Sequence, residues 1–132
     1  MPAHEQKILI IEDHRDVLDL LSYLLLAEGY QVIASLHGTE ADLLQEILPD
    51  LVLLDLRMHG VAKAGARICL RIKTNIYTRN IPVFLISAEP DIELIAKDCY
   101  ADDYISKPFN IHDILSRVRK NLHDQKSNGG TP

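Results

Sequence analysis

Short apolar runs alternate with segments of helical periodicity from one end of this chain nearly to the other, and that alternation limits the fold more than any other feature. "KILII" (Lys7 to Ile11) reads as a strand and is followed by Val17, Leu20, Leu21, Leu24 and Leu25 at helical spacing, with Gly29 as a C-terminal stop. "YQVIAS" is a second strand, and Ala41, Leu44 and Ile47 share one face of the next helix, which Pro49 closes. "LVLL" (Leu51 to Leu54) is a third strand, followed by a small-residue loop and a helix with Ile68 and Ile72 turned inward. "IPVFLIS" is a fourth strand, with Pro82 tolerated at its start, and "PDIELIAKD" is a short helix with Pro90 in its first turn. "DYIS" is the fifth strand. The last helix has Asn110 as N-cap and Ile111, Ile114, Leu115, Val118 and Leu122 on one stripe.

Five such repeats of strand and helix predict an α/β domain with a parallel sheet covered by helices on both faces. Runs as apolar as "LVLL" and "VFLI" fit strands buried on both sides. At 132 residues, 47% hydrophobic and 25% charged, the chain suits one core, and no internal repeat or second domain is visible. Residues 1–123 are expected to form the domain, and "DQKSNGGTP" (124–132) a flexible tail or linker.

Charge and cysteine content remove several functions. A net charge of −5 argues against direct nucleic-acid binding and against an anionic membrane surface. The N-terminal "MPAHEQK" has no signal-peptide core and no run is long enough for a membrane span, so a cytoplasmic protein is expected. Cys69 and Cys99, thirty positions apart, read as reduced core thiols, and the six histidines show no zinc-ligand spacing.

Right-handed crossovers bring every strand of a parallel sheet out at the same edge, where ligands of open α/β sheets bind. Here that edge receives Glu12 and Asp13 from the first strand, Asp55 from the third, Ser87 from the fourth and Lys107 from the fifth. Three crowded carboxylates raise one another's pKa values unless a cation resolves the conflict. Magnesium, a hard ion that pairs carboxylates with phosphate oxygens, suits such a set, with Asp13 and Asp55 as ligands and Glu12 acting through water. Lys107 and the Ser87 hydroxyl can then meet further phosphoryl oxygens, and Asp55 stands where a carboxylate nucleophile could form an acyl phosphate. A solvated strand end, with Asp13 capping the first helix, is the plainer alternative.

"ILIIEDHRDV", "LVLLDLRM", "VFLISA" and "DDYISKPF" occur in the order and spacing of the receiver domain of bacterial two-component response regulators, which the chain resembles from Lys7 to about Leu122. The resemblance implies a flavodoxin-like, doubly wound sheet of five parallel strands in the order 2-1-3-4-5, with five helices on both faces. It implies a phosphorylation-activated signalling switch, not an enzyme acting on separate substrates. Asp55 is the implied phosphoacceptor, served by a sensor histidine kinase or histidine phosphotransfer protein. Glu12, Asp13, Asp55 and the backbone carbonyl of Arg57 are the implied magnesium ligands. Ser87 and Tyr104 are the implied switch pair, Lys107 the phosphate contact, and Lys107–Pro108 a cis peptide. A downstream effector protein or domain would read the surface of the fourth helix, fifth strand and fifth helix, and a homodimer could form on phosphorylation.

Several residues depart from the family pattern. Glu12 replaces a more usual aspartate, His59 stands where proline is common, the segment from Asp55 to Gly65 is two residues longer, and Tyr100 takes a place often held by glycine. The plain reading of His59 is an exposed loop residue without a role, and Arg117, Arg119 and Lys120 read as complements to the last helix's C-terminal dipole. A phosphorylation-independent interaction module on the same fold is the competing function. A small-substrate magnesium phosphatase is another, though no cap segment is evident. A flavin site is excluded by "EDHRD" in place of a phosphate-binding loop after the first strand.

Overall fold

Five strands emerge from the apolar runs: β1 (Lys7–Ile11), β2 (Gln31–Ser35), β3 (Leu51–Asp55), β4 (Val83–Ser87) and β5 (Asp103–Ser106). Between and after them lie α1 (Arg15–Ala27), a 3₁₀ turn (Thr39–Leu43) running into α2 (Leu44–Ile47), α3 (Ala64–Thr74), α4 (Ile92–Asp98) and α5 (Ile111–Gly130). The structure, a computed structural model, describes residues 5–130, with side-chain surroundings through His123. All strand pairings are parallel and the order is β2-β1-β3-β4-β5, as the resemblance implies.

Strand alternation sorts the core into two layers. Leu9, Ile11, Val52, Leu54, Val83 and Leu85 face one side, against Leu44, Cys69, Ile72, Ile92 and Ile95 from α2, α3 and α4. Ile8, Ile10, Leu51, Leu53, Phe84 and Ile86 face the other, against Leu18, Leu21 and Leu25 of α1 and Ile114, Val118 and Leu122 of α5. β3 and β4 are buried along their whole length, which is why they lack polar alternation. Each fully buried leucine or isoleucine contributes about 1.5–3 kcal/mol of transfer free energy.

The helix ends follow local chemistry. Gly29, at φ 96°, ends α1 in a Schellman motif: its N–H donates to Leu26 O and that of Tyr30 to Leu25 O. The Asn110 side chain accepts the Asp113 N–H at 3.2 Å, as expected of an N-cap.

Other details differ from the sequence expectations. The inward stripe of α1 is Leu18, Leu21 and Leu25, while Val17 and Leu24 are only partly buried and Leu20 is exposed. The second helix is broken into a 3₁₀ turn and one α-turn, and Leu48, at φ 49°, reverses the chain before Pro49. Ile68 is only partly buried and Ile111 is exposed, since Cys69 and Ile114 take the central positions. α5 continues through Gly130, past Leu122, because no proline interrupts the polar residues that follow. The interval 124–132 assigned to a tail therefore overlaps α5, and residues 1–4 and 131–132 lie outside the described residues.

Candidate functional site

The ladder hydrogen bonds run one residue past the strands, and this places the side chains that matter. Glu12 N–H donates to Ser35 O, Leu56 N–H to Ile86 O, and Lys107 N–H to Ser87 O at 2.8 Å. With a side-chain period of two, Glu12 continues the face of Ile8 and Ile10, Asp55 that of Leu51 and Leu53, and Lys107 that of Ile105. Three polar residues from three strands are thus directed to one side of the rim by the same alternation that fills the core.

They meet there. Lys107 Nζ lies 3.1 Å from Glu12 Oε1 and 3.3 Å from Asp55 Oδ1. Glu12 is 1% exposed and Asp55 5%, so both carboxylates have left water. Asp13, less buried, joins them: one oxygen from each of Glu12, Asp13 and Asp55 falls within 4.8 Å of the others. The second Glu12 oxygen accepts the His14 N–H at 3.1 Å, and Asp13 Oδ2 accepts the His59 N–H at 2.7 Å. Asp13 does not cap α1, whose N-cap is His14 with no side-chain cap bond.

The electrostatics follow from the count of charges. Burial pushes the Asp55 carboxyl up, the Glu12 charge pushes it further, and Lys107 only partly opposes them, so its pKa is raised to about 7. Burial works against the Lys107 ammonium, but the Asp55 and Glu12 carboxylates outweigh it and its pKa is raised. One ammonium facing three carboxylates leaves a deficit of positive charge in a buried place. Three hard oxygen donors within bonding range of a common point, not fully neutralised by their own lysine, fit a divalent ion such as magnesium.

The loop after Asp55 is ordered by a tight reversal. His59 (φ 52°) and Gly60 (φ 76°) sit at the two central positions of a turn in which Met58 and Val61 exchange backbone hydrogen bonds. This turn delivers the His59 N–H to Asp13 and stacks the His59 ring on His37, with centroids 5.4 Å apart. His59 is therefore not a residue without contacts, and the His-Gly pair, a left-handed turn signal, was the available clue. Behind the turn, a Cβ on Gly65 would lie 2.2 Å from the Asp55 carbonyl oxygen. α3 thus rests its first turn directly on the backbone of the phosphoacceptor candidate, tied by Gly65 N–H to Leu56 O at 2.7 Å.

The remaining predicted residues lie around this centre. Ser87 is buried at the end of β4, and its hydroxyl accepts the Glu89 N–H at 2.9 Å. Tyr104 pairs with Leu85 across β4 and β5 and packs partly buried against the layer of α3 and α4. The Arg57 guanidinium reaches Glu89 at 3.8 Å, both exposed. The Lys107–Pro108 peptide is cis. Tyr100, in the place often held by glycine, adopts φ 63°. Arg117 and Arg119 do not serve the C-terminal dipole of α5, which ends well beyond them. Arg117 binds Asp103, Asp113 and the Tyr104 carbonyl, and Arg119 pairs with Glu28 of the α1 C-cap.

Two concavities of about 390 and 350 Å³ are lined by residues such as Leu44, Ile68 and Arg71, and Phe84, Asp102 and Arg117. Neither is lined by Glu12, Asp55 or Lys107. Among the described residues no helix is long and apolar enough to cross a membrane.

Comparison with known proteins agrees with this geometry. Residues 8–119 match the family model for the response regulator receiver domain. The phosphate regulon transcriptional regulatory protein PhoB of Rhizobium meliloti (strain 1021) is 37% identical over 123 residues, which are 91% of this chain and 53% of that protein. The chain thus spans about half the length of that curated relative. The signal receiver domain of a signal transduction histidine kinase from Syntrophus aciditrophicus is 30% identical, with a TM-score of 0.79, covering 90% of this chain and 91% of that one. The receiver domain of NtrX from Brucella abortus is 27% identical, with a TM-score of 0.77, covering 88% and 98%.

Proposed function

This chain belongs to the response regulator receiver domain family, the signalling modules of two-component systems, and from that premise we propose that Asp55 is its phosphoacceptor. The observation that carries the reading is the double contact of Lys107 Nζ with Glu12 and Asp55, beside Asp13 at the same rim. An interaction module working without phosphate has no need of a buried, under-neutralised cluster of this composition.

The donor is a histidine of a sensor histidine kinase or histidine phosphotransfer protein. Asp55, once deprotonated, attacks the phosphorus; the P–N bond to the donor histidine breaks, and the imidazole leaves with its electron pair and takes up a proton. Lys107 holds one phosphoryl oxygen, trading its contact with Asp55 for the new charge. Glu12, Asp13, Asp55 and the Arg57 carbonyl would hold magnesium. Bound there, the ion supplies the positive charge and open oxygen positions that a phosphoryl group requires.

Ser87 would then exchange its Glu89 amide for a phosphoryl oxygen, and Tyr104 would take up the space released at the neighbouring strand. α4, β5 and α5 form the face that changes, and a downstream effector, or a second copy of the domain, reads it. The phosphoryl group shifts the balance between two arrangements through contacts it makes in only one of them. With a net charge of −5 we assign the domain no direct nucleic-acid role, and we place the protein in the cytoplasm.

The test is labelling with a small acyl phosphate donor and magnesium, read by intact mass. One phosphoryl group per chain is expected on the parent protein, with none on Asp55→Asn. Equal labelling of the two would remove Asp55 from its role.

A further inference from the structure

Cys69 and Cys99 stand thirty residues apart in the chain but side by side in the fold. Cys69 lies in the second turn of α3 and Cys99 caps the C-terminus of α4, and both belong to the same apolar layer. Cys69 Sγ lies 3.4 Å from the Cys99 carbonyl oxygen, while Cys99 Sγ turns toward Ala96 O at 3.6 Å. The Cys69 side chain is thus in direct contact with the Cys99 residue where α3 meets the end of α4, the kind of neighbourhood in which a disulfide can be sought.

We propose that Cys69 and Cys99 are a reversible redox pair, whose disulfide ties α3 to the C-terminal end of α4. Nothing in the reading of Asp55 requires this pair, but its effect on signalling rests on that reading, since α4 belongs to the face that responds.

Access is through α4. The helix has only seven residues and ends at Tyr100, a non-glycine residue held at φ 63° and largely exposed. A short helix closed by a strained turn opens at a fraction of the free energy needed to unfold the domain. Opening there uncovers Cys99 first, at 4% exposure against 0% for Cys69. Cys99, the thiol uncovered first, is therefore the attacking one. With a low-molecular-weight disulfide as oxidant, Cys99 thiolate attacks one sulfur and displaces the first small thiol, leaving a mixed disulfide. Cys69 loses its proton, attacks Cys99 Sγ and displaces the second small thiol. Two protein thiols are oxidised by two electrons, and the oxidant leaves as two thiols that carry the two protons.

The experiment incubates the full chain, natively folded, with glutathione disulfide, then denatures it and measures free thiols and intact mass with and without dithiothreitol. The expected result is loss of both thiols and of the mass of two hydrogen atoms, with a Cys69–Cys99 cross-linked peptide that the reductant removes. Persistence of both thiols, or only glutathione adducts and inter-chain dimers, overturns the proposal. Cys99→Ala should trap no intramolecular product. Amide exchange across residues 92–100 should slow about tenfold in the oxidised protein, and unchanged exchange would overturn the tether. Neither readout involves phosphoryl transfer, so a failure of Asp55 to accept phosphate would leave this test intact.

Discussion

The two ends of the sheet each set a lysine against aspartate, and they do so with opposite arithmetic. At the N-terminal ends of β4 and β5, Lys73 Nζ donates to Asp102 Oδ2 at 2.8 Å and to the Ile81 carbonyl at 3.0 Å, and the same Asp102 oxygen accepts the Val83 N–H. One cation meets one carboxylate, and backbone groups complete both. At the C-terminal ends, Lys107 answers to Glu12 and Asp55 together, with Asp13 beside them. The first arrangement is closed. The second retains a negative surplus, and that surplus is what the proposed phosphoacceptor role of Asp55 turns on.

The sharpest way to break this contrast is to remove charge where it is in surplus. Without divalent ions, Asp55→Asn should stabilise the protein by about 2–4 kcal/mol at pH 8. The sign follows from the raised pKa. The folded state binds the Asp55 proton more tightly than the unfolded state does, so the parent protein loses stability as pH rises from the ordinary carboxylate range through about 7. Asparagine has no proton to lose, and the gain should vanish near pH 4. Urea denaturation of both proteins from pH 4 to 8 checks this, and a destabilised Asp55→Asn at pH 8 would contradict the surplus. Removing charge at the closed end should do the reverse. Lys73→Met leaves the Ile81 carbonyl without its donor and Asp102 without its cation, and should cost about 1–2 kcal/mol. Phosphoryl labelling of that variant should match the parent. The smallest effect is that of the ion itself: magnesium at about ten times its dissociation constant should stabilise the parent at pH 8 by about 1.4 kcal/mol. Asp13→Ala should lose most of that gain, as thermal melts with and without a chelator would record.

The contrast between ends also explains which features could be read from the chain alone. Asp55 and Glu12 were legible because each follows an apolar run that can only be a buried strand, and parallel topology sends every strand end to one edge. Lys107 was legible as a member of that edge, though its bond to Glu12, ninety-five residues away, was not. The broken second helix was hidden because Ala41, Leu44 and Ile47 keep helical spacing whether the turns are α or 3₁₀. Leu20 misled for a similar cause: α1 offers more leucines than its buried stripe can hold, and packing chooses among them. The proximity of Cys69 and Cys99 depends on where α3 and α4 come to rest, which no local pattern encodes. The role of the His59 amide depended on a two-residue reversal that His-Gly marks, and on where that reversal comes to rest against Asp13, which the turn alone does not encode.

Gly65 has a mechanical corollary. Since a single methyl at this position would overlap the Asp55 carbonyl, helix and strand are in bone-on-bone contact there, with no compliant side chain between them to damp a displacement. The same helix carries Cys69 in its middle and, near its other end, Lys73, whose amine holds Asp102 just before β5.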